Sequence, residues 1–399
     1  MNIKKNILYV FHVSFIGGGS LCLLNLVKAV DKEKFNPIVL LKAHGPLCTE
    51  LEKVGASVFI EPSLNTVPYN RSLFRFNSMK QILKVLFSIK KVESWIYKLK
   101  PEILHINTMM MYPYAIPGKR LKTKVIIHAR EHWPRNENIF QLNFAKKIIN
   151  KYADLVIAIN KTSSGVINLQ EKTEIIYDWI DFNGRDNFID FKTLFGKDYK
   201  QYKVYLFLGG ISRIKGLMEV TKAFNNNLTS KNDRLLIVGC DSKEIIFKGK
   251  RGKVKKIMHL FRYYSFSDKF KLIAQKNDRI VCIPATSHVK SLIEQAYCTL
   301  AYPTIPHAIL PIAESIYLGK PVLSANTPEA LEYCNNGKGA TLFPMNNELE
   351  FIKALKYVSE NELEVTQKAI DNKDVIKDIF SLKHNREKLN RLYNNILVC

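Results

Sequence analysis

Residues 302–324 read Y-P-T-I-P-H-A-I-L-P-I-A-E-S-I-Y-L-G-K-P-V-L-S and carry the clearest fold signal in the chain. The apolar run just before them, residues 298–302, predicts a buried strand. Pro303 and Pro306 then end this strand, because proline cannot donate a hydrogen bond to a β-ladder. Pro311 suits the first turn of a helix. The sequence therefore changes from strand to loop to helix within a few residues.

The second half of this stretch completes the pattern. Residues 312–318 fill the helix, Gly319 suits a left-handed cap after it, and residues 321–324 predict the next strand. A strand, a helix and a second strand form a βαβ unit, and parallel sheets bind ligands beyond the carboxyl ends of their strands. The loop 304–310 is therefore the first place to expect chemistry.

The same alternation extends in both directions along the chain. Strands are predicted at 7–11, 38–41, 57–60, 103–106, 125–128 and 155–159, and again at 204–208, 235–239, 280–283, 298–302, 322–324 and 341–343. This pattern predicts an α/β protein with mainly parallel sheets. Because a polar, weakly periodic segment at 178–200 separates the two sets, we expect two doubly wound, Rossmann-like domains that face a cleft. They are residues 1–183 and 184–378, and a last helix in 379–399 crosses back to the first.

Composition narrows the class of partner. The chain has 399 residues, with 60 Lys and Arg against 36 Asp and Glu, for a net charge of +24. Such an excess points to an anionic partner, which can be nucleic acid, a lipid surface or a phosphate-bearing substrate. Seven scattered cysteines without a C-x-x-C pair indicate reduced thiols in a cytosolic protein. No apolar run has the length of a membrane span, and residues 7–16 predict a first strand rather than a signal peptide.

A run of glycines follows the first predicted strand. Residues 17–20 read G-G-G-S and lie between that strand and the first helix, which places backbone N–H groups where an anion can approach a helix N-terminus. A flexible turn is the alternative interpretation. The run is not G-x-G-x-x-G, so a nicotinamide cofactor is only weakly indicated.

Two basic stretches each allow two interpretations. Residues 78–99 predict an amphipathic helix that opens with a capping box, Ser78 and Gln81, and carries lysines and aromatic residues opposite its apolar face. It can lie on an anionic membrane or pack on the core with a solvated lysine face. Residues 248–271 hold nine Lys and Arg residues among aromatic residues, which suits nucleic acid, lipid phosphates or a solvated loop.

Residues 128–132 read H-A-R-E-H and match a zinc-peptidase pattern in form. That pattern needs a helix, whereas the β-like run 125–127 and Trp133-Pro134 predict a strand end and its loop. We therefore predict no metal site here. The loop still suits a substrate, with Arg130 or His128 facing an anionic group.

A second glycine-rich turn opens the second domain. Residues 208–216 read L-G-G-I-S-R-I-K-G, so the strand leads through glycines to two cations and a helix. We expect both cations to bind a diphosphate. Lys215 would act as a point charge, and Arg213 would donate two hydrogen bonds from its forked guanidinium. The alternative is two solvated surface cations.

The loop 304–310 supplies further candidates. His307 and the backbone N–H groups of Ala308, Ile309 and Leu310 can contact a phosphate. Glu314 can complement the helix dipole or accept hydrogen bonds from ribose hydroxyls. No D-x-D occurs in the sequence, so the two-carboxylate metal clamp of single-domain sugar transferases is missing.

Taken together, these motifs resemble those of family-4-type glycosyltransferases with the GT-B fold, over nearly the whole chain. The resemblance rests on residues 17–20, 104–108, 128–131, 215–216, 311–315 and 319–322. It implies a retaining, metal-independent hexosyltransferase without a cofactor. Its donor would be a nucleoside diphosphate sugar, with UDP-sugar favoured, and its acceptor a glycan or lipid-linked molecule of surface polysaccharide biosynthesis. The enzyme would be cytoplasmic and peripheral on an anionic membrane.

The resemblance also implies roles for named residues. Lys215, Arg213 and Arg130 would be catalytic. The donor would be bound by Gly18, Gly19, Lys215, His307, Ala308, Ile309, Leu310 and Glu314. The acceptor side would hold Asn107, His128 and Glu131, with no metal ligand.

The sequence departs from the family pattern at two positions. The family commonly has two glutamates eight positions apart, and the first would fall on Pro306; an arginine commonly stands five positions before the lysine, where this chain has Gly210. Three other functions therefore stay open. They are a catalytically weak accessory subunit of a glycosyltransferase assembly, a nucleic-acid-binding protein that uses residues 248–271, and a nucleotide-sugar epimerase.

Overall fold

The structure, a computed structural model, describes residues 4–68, 76–131, 133, 139–182, 188–225, 229–245, 255–256 and 258–398. The chain divides into two units. The first comprises Met1–Trp179 together with Phe380–Cys399, and the second is Ile180–Ile379. Each unit is built on one parallel sheet.

The first sheet has seven strands in the order β3-β2-β1-β4-β5-β6-β7, and every described pairing is parallel. The strands are β1 Lys5–Phe11, β2 Phe35–Leu41, β3 Ser57–Ile60, β4 Ile103–Ile106, β5 Lys124–Ala129, β6 Leu155–Ala158 and β7 Thr173–Ile175. The prediction of a parallel α/β sheet is confirmed. The sequence interpretation missed β7, because this edge strand has three half-buried residues and no apolar run.

The helices of the first unit cover both faces of this sheet. They are α1 Gly18–Ala29, α2 Pro46–Lys53, α3 Phe76–Leu99, α4 Ala115–Arg120, α5 Ile139–Tyr152, α6 Lys161–Ile167 and, from the end of the chain, Leu382–Ile396. Short 3₁₀ helices occupy Met109–Tyr114 and Gln170–Lys172. Alternate strand residues face opposite sides, so Leu8 and Val10 belong to one core and Tyr9 to the other. The C-terminal helix Leu382–Ile396 packs on the second of these cores through Leu389 and Tyr393.

Two predicted helix starts are wrong. The first helix begins at Gly18 rather than after residue 20, so Gly18 and Gly19 form its first turn. The predicted capping box at Ser78 and Gln81 is absent, because α3 already includes Phe76. Ser78 is buried inside the helix, and the Gln81 side chain donates to the carbonyl oxygen of Thr66 over 2.8 Å.

The second sheet has six strands in the order β10-β9-β8-β11-β12-β13, again with parallel pairings. The strands are β8 Lys203–Phe207, β9 Asp233–Val238, β10 Ile280–Ile283, β11 Cys298–Ala301, β12 Val322–Asn326 and β13 Thr341–Pro344. The described helices are α7 Phe191–Phe195, α8 Leu217–Asn225, α9 Phe266–Gln275, α10 Val289–Gln295, α11 Leu310–Tyr317, α12 Pro328–Tyr333, α13 Glu348–Glu360 and α14 Glu362–Ile379. The C-terminal helix Leu382–Ile396 is α15.

The βαβ unit predicted from residues 302–324 is confirmed. β11 leads through a loop to α11, Gly319 follows that helix with a φ of +71°, and β12 pairs in parallel with β11. Only glycine adopts this backbone conformation without steric cost, which explains the sharp end of the helix.

Two further sequence predictions concern thiols and membrane spans. Cys22, Cys48, Cys240, Cys282, Cys298 and Cys334 are free in the structure, and Cys399 lies outside the described residues. Within the described ranges, no helix has both the length and the apolar character needed to cross a bilayer.

Candidate active site

Each sheet has a point where its strand order reverses, between β1 and β4 in the first unit and between β8 and β11 in the second. At such a switch point the connections leave in opposite directions, which opens a crevice beyond the carboxyl ends of the strands. The sequence-predicted site residues lie after β1, β4, β8 and β11, and at or just after the end of β5. They therefore form one group at the carboxyl edge of each sheet.

In the second unit, the loop after β8 and the loop after β11 are hydrogen-bonded to each other at the switch point. The Thr304 backbone N–H donates to the carbonyl oxygen of Ile214 over 2.9 Å, and the Thr304 hydroxyl donates to that of Arg213 over 3.3 Å. Gly216 has a φ of +78°, and a Cβ at this position would lie 2.0 Å from the carbonyl oxygen of Tyr302. Only glycine allows this approach, so the position of Lys215 is set by contact with the loop after β11.

Lys215 and Arg213 are the cations that this geometry holds at the edge. Both residues are exposed, and no carboxylate of the described residues forms an ion pair with either. The Arg213 guanidinium lies 5.3 Å from the centre of the Phe266 ring, within the range of a cation–π contact. Partial desolvation lowers the pKa of the Lys215 ammonium from its ordinary value. The pair is available to an anionic ligand.

The glycine that replaces the family arginine has a structural reason. Gly210 has a φ of +59°, and a Cβ there would lie 3.4 Å from the carbonyl oxygen of Gly239. Its N–H donates to the carbonyl oxygen of Val238 over 3.0 Å. An arginine at this position would adopt a left-handed backbone conformation that costs about 1–2 kcal/mol for a residue with a side chain.

The start of α11 offers backbone donors at the same edge. Ala308 and Ile309 precede the helix, and the described residues supply no acceptor for their backbone N–H groups. Leu310 is the first helical residue. The half-buried His307 has its Nδ1 atom 2.9 Å from the carbonyl oxygen of Ile305. Helix N-termini with free N–H groups favour anions.

Glu314 does not lie where the dipole interpretation requires. α11 begins at Leu310, which makes Glu314 its fifth residue, and the first turn contains no acidic residue. The effect of the helix dipole is confined to the first turn. That structural role is therefore wrong, whereas the ribose-binding role stays a prediction.

In the first unit, the glycine run forms an open helix start. Gly17 is the N-cap of α1, and no side chain caps this end. A Cβ on Gly18 would meet nothing within 4 Å, and one on Gly19 would lie 3.5 Å from the Phe11 ring. The first turn of α1 is therefore accessible to a ligand.

Arg130 is more buried than the sequence interpretation assumed. Its side chain is 8% exposed, and Nη1 lies 2.6 and 2.7 Å from the two carboxylate oxygens of Asp178. Its Nε donates to the Oδ1 atom of Asn107 over 3.2 Å. Burial alone would lower the pKa of Arg130, but the Asp178 carboxylate, together with contributions from Cys22 and Glu131, outweighs this effect and raises it.

Asp178 was missed as a site residue because it lies 48 positions further along the chain, in the segment interpreted as a linker. Within the described residues, Arg130 Nη2 and Asn107 Nδ2 are buried without a hydrogen-bond partner. Since buried polar atoms are nearly always paired, these donors mark a place for a ligand or water.

Glu131 holds the turn that follows β4. Its carboxylate accepts a short hydrogen bond from the Thr108 hydroxyl, a second from the Met109 N–H over 2.9 Å and a third from the Arg130 N–H over 3.2 Å. Burial raises the pKa of Glu131, and these hydrogen bonds partly offset that effect. The carboxylate therefore holds the loop after β4 and the end of β5 together.

His128 ends a buried chain of hydrogen-bonding groups. The Tyr9 and Tyr393 hydroxyls are 3.0 Å apart, Tyr393 lies 2.8 Å from His105 Nδ1, and His105 Nε2 lies 3.2 Å from His128 Nδ1. Burial lowers the pKa of His105 to about 3 and that of His128 well below its ordinary value, so both are neutral near pH 7. His128 Nε2 is buried without a partner among the described residues. His128 therefore cannot serve as a cation.

The sequence interpretation missed Tyr9, His105 and Tyr393. Strand alternation could have placed Tyr9, His105 and His128 on one face of the sheet, but no local signal reveals the contact with Tyr393. The strand-end interpretation of H-A-R-E-H is confirmed, since His128 lies in β5, while His132 lies outside the described residues. No group of three or more metal-binding side chains that could hold an ion occurs in the described part of the chain.

The basic stretch 248–271 is described only in part. Lys248, Lys250, Arg251 and Lys253 lie outside the described residues. Of the rest, Lys255 Nζ lies 2.6 Å from Asp268, whose other carboxylate oxygen lies 3.0 Å from His259 Nε2. Lys255 therefore forms a structural ion pair with Asp268, which lies in α9.

Comparisons with known proteins agree with this fold. Residues 192–395, just over half of the chain, match the family model described as glycosyl transferases group 1. No match was found among the curated proteins.

Solved structures resemble the chain over nearly its whole length. Anabaena Alr3699/HepE, in complex with UDP and glucose, has a TM-score of 0.73 and 18% identity, and the match covers 98% of this chain and 99% of that one. A glycosyltransferase from Rickettsia africae has a TM-score of 0.71 and 16% identity, with 99% of each chain covered. An E. coli trehalose-6-phosphate structure bound with UDP-2-fluoro glucose has a TM-score of 0.68 and 11% identity, with 98% and 99% covered.

At these identities the solved structures establish the fold, which is the GT-B arrangement of two Rossmann-like domains. The family model establishes the relationship by sequence. The chain therefore belongs to the group 1 glycosyltransferases.

Proposed function

We propose that this protein is a retaining, metal-independent hexosyltransferase. It moves a sugar from a UDP-sugar to a glycan or lipid-linked acceptor in surface polysaccharide biosynthesis. The proposed donor site rests on one observation at the edge of the second unit. There, Gly216 lets the turn that contains Lys215 contact the loop that leads to α11. Two similar structures are described with UDP or a UDP-sugar derivative bound, which favours uracil as the base.

The chemical step requires stabilisation of the departing diphosphate. Lys215 and Arg213 supply positive charge, and Ala308, Ile309 and Leu310 supply backbone donors at the start of α11. Such preorganised groups need no rearrangement as negative charge develops on the leaving group. Transfer therefore needs no metal ion in this proposal. Glu314 accepts hydrogen bonds from the ribose, and Gly18 and Gly19 allow the phosphate or sugar to approach α1.

The acceptor half rests on the first unit. Asn107 and Arg130 have buried N–H groups without partners among the described residues, and the neutral His128 has an unpaired Nε2 at the end of its chain. These groups suit the hydroxyls of a sugar, which both donate and accept. Because Arg130 is paired with Asp178, it contributes positioned N–H donors rather than a free positive charge.

The net charge of +24 supports a position at the cytoplasmic face of an anionic membrane, where basic proteins are attracted to acidic lipids. A peripheral position also suits an enzyme whose acceptor is carried by a lipid.

Turnover of UDP-glucose and other UDP-sugars tests the proposal, with UDP release measured in the presence of lipid-linked acceptors. Lys215→Ala should lower turnover by at least ~10²-fold, on the scale of losing one preorganised charge. Lys222→Ala is the matched control, because Lys222 is an exposed lysine on the adjacent helix α8. Near-normal turnover by Lys215→Ala would remove Lys215 from the mechanism.

A further inference from the structure

An apolar groove opens on the surface of the first unit, between α3, α5 and the 3₁₀ helix that follows β4. We propose that it binds the hydrocarbon chain of the membrane lipid that carries the acceptor. This inference rests on the proposed function, because it specifies the acceptor as lipid-linked. The groove has a volume of about 450 Å³, which falls within the range of about 300–1,000 Å³ common for small-molecule sites.

The chemistry of the walls selects a hydrocarbon ligand. Apart from the Gln141 amide and the Tyr112 hydroxyl, the described side chains that line the groove are aliphatic or aromatic. Examples are Ile82 and Ile89 of α3 and Phe144 of α5. A sugar or nucleotide would leave its hydroxyl groups without hydrogen bonds against such walls, and that loss is costly. A hydrocarbon chain has no polar groups and therefore loses no hydrogen bonds in the groove.

The rim of the groove is apolar and open to solvent. Leu86, Phe140 and Phe144 line the groove and are nevertheless 55%, 91% and 57% exposed. Leu83 and Met79 lie about one and two turns before Leu86 on α3, and each is 54% exposed. Contiguous apolar surface of this kind marks a site that contacts a membrane or another molecule.

Positive charge next to this rim identifies the molecule as an anionic membrane. Lys80, Lys84, Lys91 and Lys98 recur along α3 at spacings of four and seven, so they form a second exposed stripe beside the apolar one. In the described part of the chain, no carboxylate forms an ion pair with Lys80, Lys84 or Lys90. A helix with one apolar stripe and one lysine stripe is suited to the interface of an acidic bilayer.

The groove adjoins the acceptor edge of the sheet. Trp133 lines it and is 1% exposed, and Trp133 follows Glu131 by two residues, which span at most about 7 Å of chain. Tyr112, which also lines the groove, belongs to the 3₁₀ helix whose start is held by Glu131 and Thr108. A chain in the groove would therefore place its headgroup near Asn107 and Arg130.

Quenching of tryptophan fluorescence by brominated lipid chains tests the inference. The protein is mixed with vesicles of phosphatidylglycerol that has dibrominated acyl chains, or with the same lipid unbrominated, and flotation gives the bound fraction. Trp133→Phe isolates the contribution of Trp133 from those of Trp95 and Trp179. We expect bromine to quench Trp133 in the bound protein.

Two substitutions one position apart separate the groove from the surface. Ile82→Phe places extra volume inside the groove, whereas Leu83→Gln alters an exposed neighbour that does not line it. Ile82→Phe should abolish most of the Trp133 quenching at equal bound fraction and lower kcat/KM for a long-chain acceptor by at least about tenfold, the effect of losing roughly two buried methylene groups. Leu83→Gln should retain the quenching. Thermal melting shows that both variants are folded.

Three results would overturn the inference. They are the absence of vesicle binding, binding without quenching of Trp133, and quenching that Ile82→Phe leaves intact. A preference for an acidic amphipathic peptide over vesicles would identify a protein partner instead. UDP titration of the same samples keeps the two proposals apart, because loss of chain binding with UDP binding intact removes only the groove assignment. Chain binding without UDP binding removes the proposed function.

Discussion

Arg130 and Asp178 form a buried ion pair that joins the end of β5 to the last residues before the boundary of the first unit. The Nη1 atom lies 2.6 and 2.7 Å from the two carboxylate oxygens, and the two side chains are 8% and 18% exposed. Removing one partner of such a pair leaves the other charge buried without compensation. The pair therefore fixes the position of Arg130 at the carboxyl end of β5.

We predict that Asp178→Asn lowers the free energy of unfolding by about 3 kcal/mol, because the Arg130 charge loses its counter-ion in a buried site. Glu50→Gln serves as the control. It removes an exposed pair with Lys53, and such pairs contribute less than about 1 kcal/mol. Chemical denaturation measures both variants. Equal stability of Asp178→Asn and the wild type would show that the pair is not maintained in solution.

Gly216→Ala should disrupt the donor site. The new Cβ would lie 2.0 Å from the carbonyl oxygen of Tyr302, so the Lys215 turn must move away from the loop after β11. We expect the affinity for UDP to fall by at least about tenfold, which corresponds to the loss of one good hydrogen bond to a charged group.

Gly337→Ala is the matched control for this substitution. Gly337 also has a positive φ, of +87°, but a Cβ there would meet ordinary contacts at 3.5 Å. It should cost about 1–2 kcal/mol of stability and leave UDP affinity unchanged. If both variants bind UDP like the wild type, contact between the two loops does not position Lys215.

The buried histidines make stability depend on pH. Burial lowers the pKa of His105 to about 3 and of His12 to about 4, and places that of His128 well below 6.5. The unfolded chain therefore binds protons on these groups below about pH 6.5 while the folded chain does not. Stability should be complete above that pH and fall as the pH drops, by at most about 1.4 kcal/mol per unit for each histidine.

Urea unfolding between about pH 7 and about pH 5 measures this slope. His128→Asn should reduce the slope by one proton, whereas replacement of the exposed His384 should leave it unchanged. An unaltered slope in His128→Asn would mean that His128 is not held neutral in the folded state.

The architecture was predictable because its signals are local. Apolar runs, two prolines and Gly319 define the strands and α11 without knowledge of distant residues. The second glycine-rich turn was likewise visible, because β8 must end where its glycines begin. Strand β7 carried no such signal, since three half-buried residues show no periodicity.

The unpredicted part of the site depends on contacts between distant residues. Asp178 meets Arg130 across 48 positions, and Tyr393 meets His105 across 288. Arg130 is buried because of such long-range contacts, so the local sequence His128–Glu131 could not predict its burial. The groove beside Trp133 likewise needs residues of α3, α5 and the 3₁₀ helix Met109–Tyr114 to come together, which no single amphipathic pattern reveals.

The central claim is that the edge of the second unit binds the diphosphate of a UDP-sugar through Lys215. Calorimetric titration of UDP, GDP and CMP into the wild type, Lys215→Ala and Lys222→Ala tests it most directly. We predict that UDP binds the wild type and Lys222→Ala alike, and binds Lys215→Ala at least about tenfold more weakly. Failure of folded wild type to bind any of the three nucleotides, or equal binding by Lys215→Ala, would contradict the claim. The first of these results would favour an accessory subunit that turns over no donor.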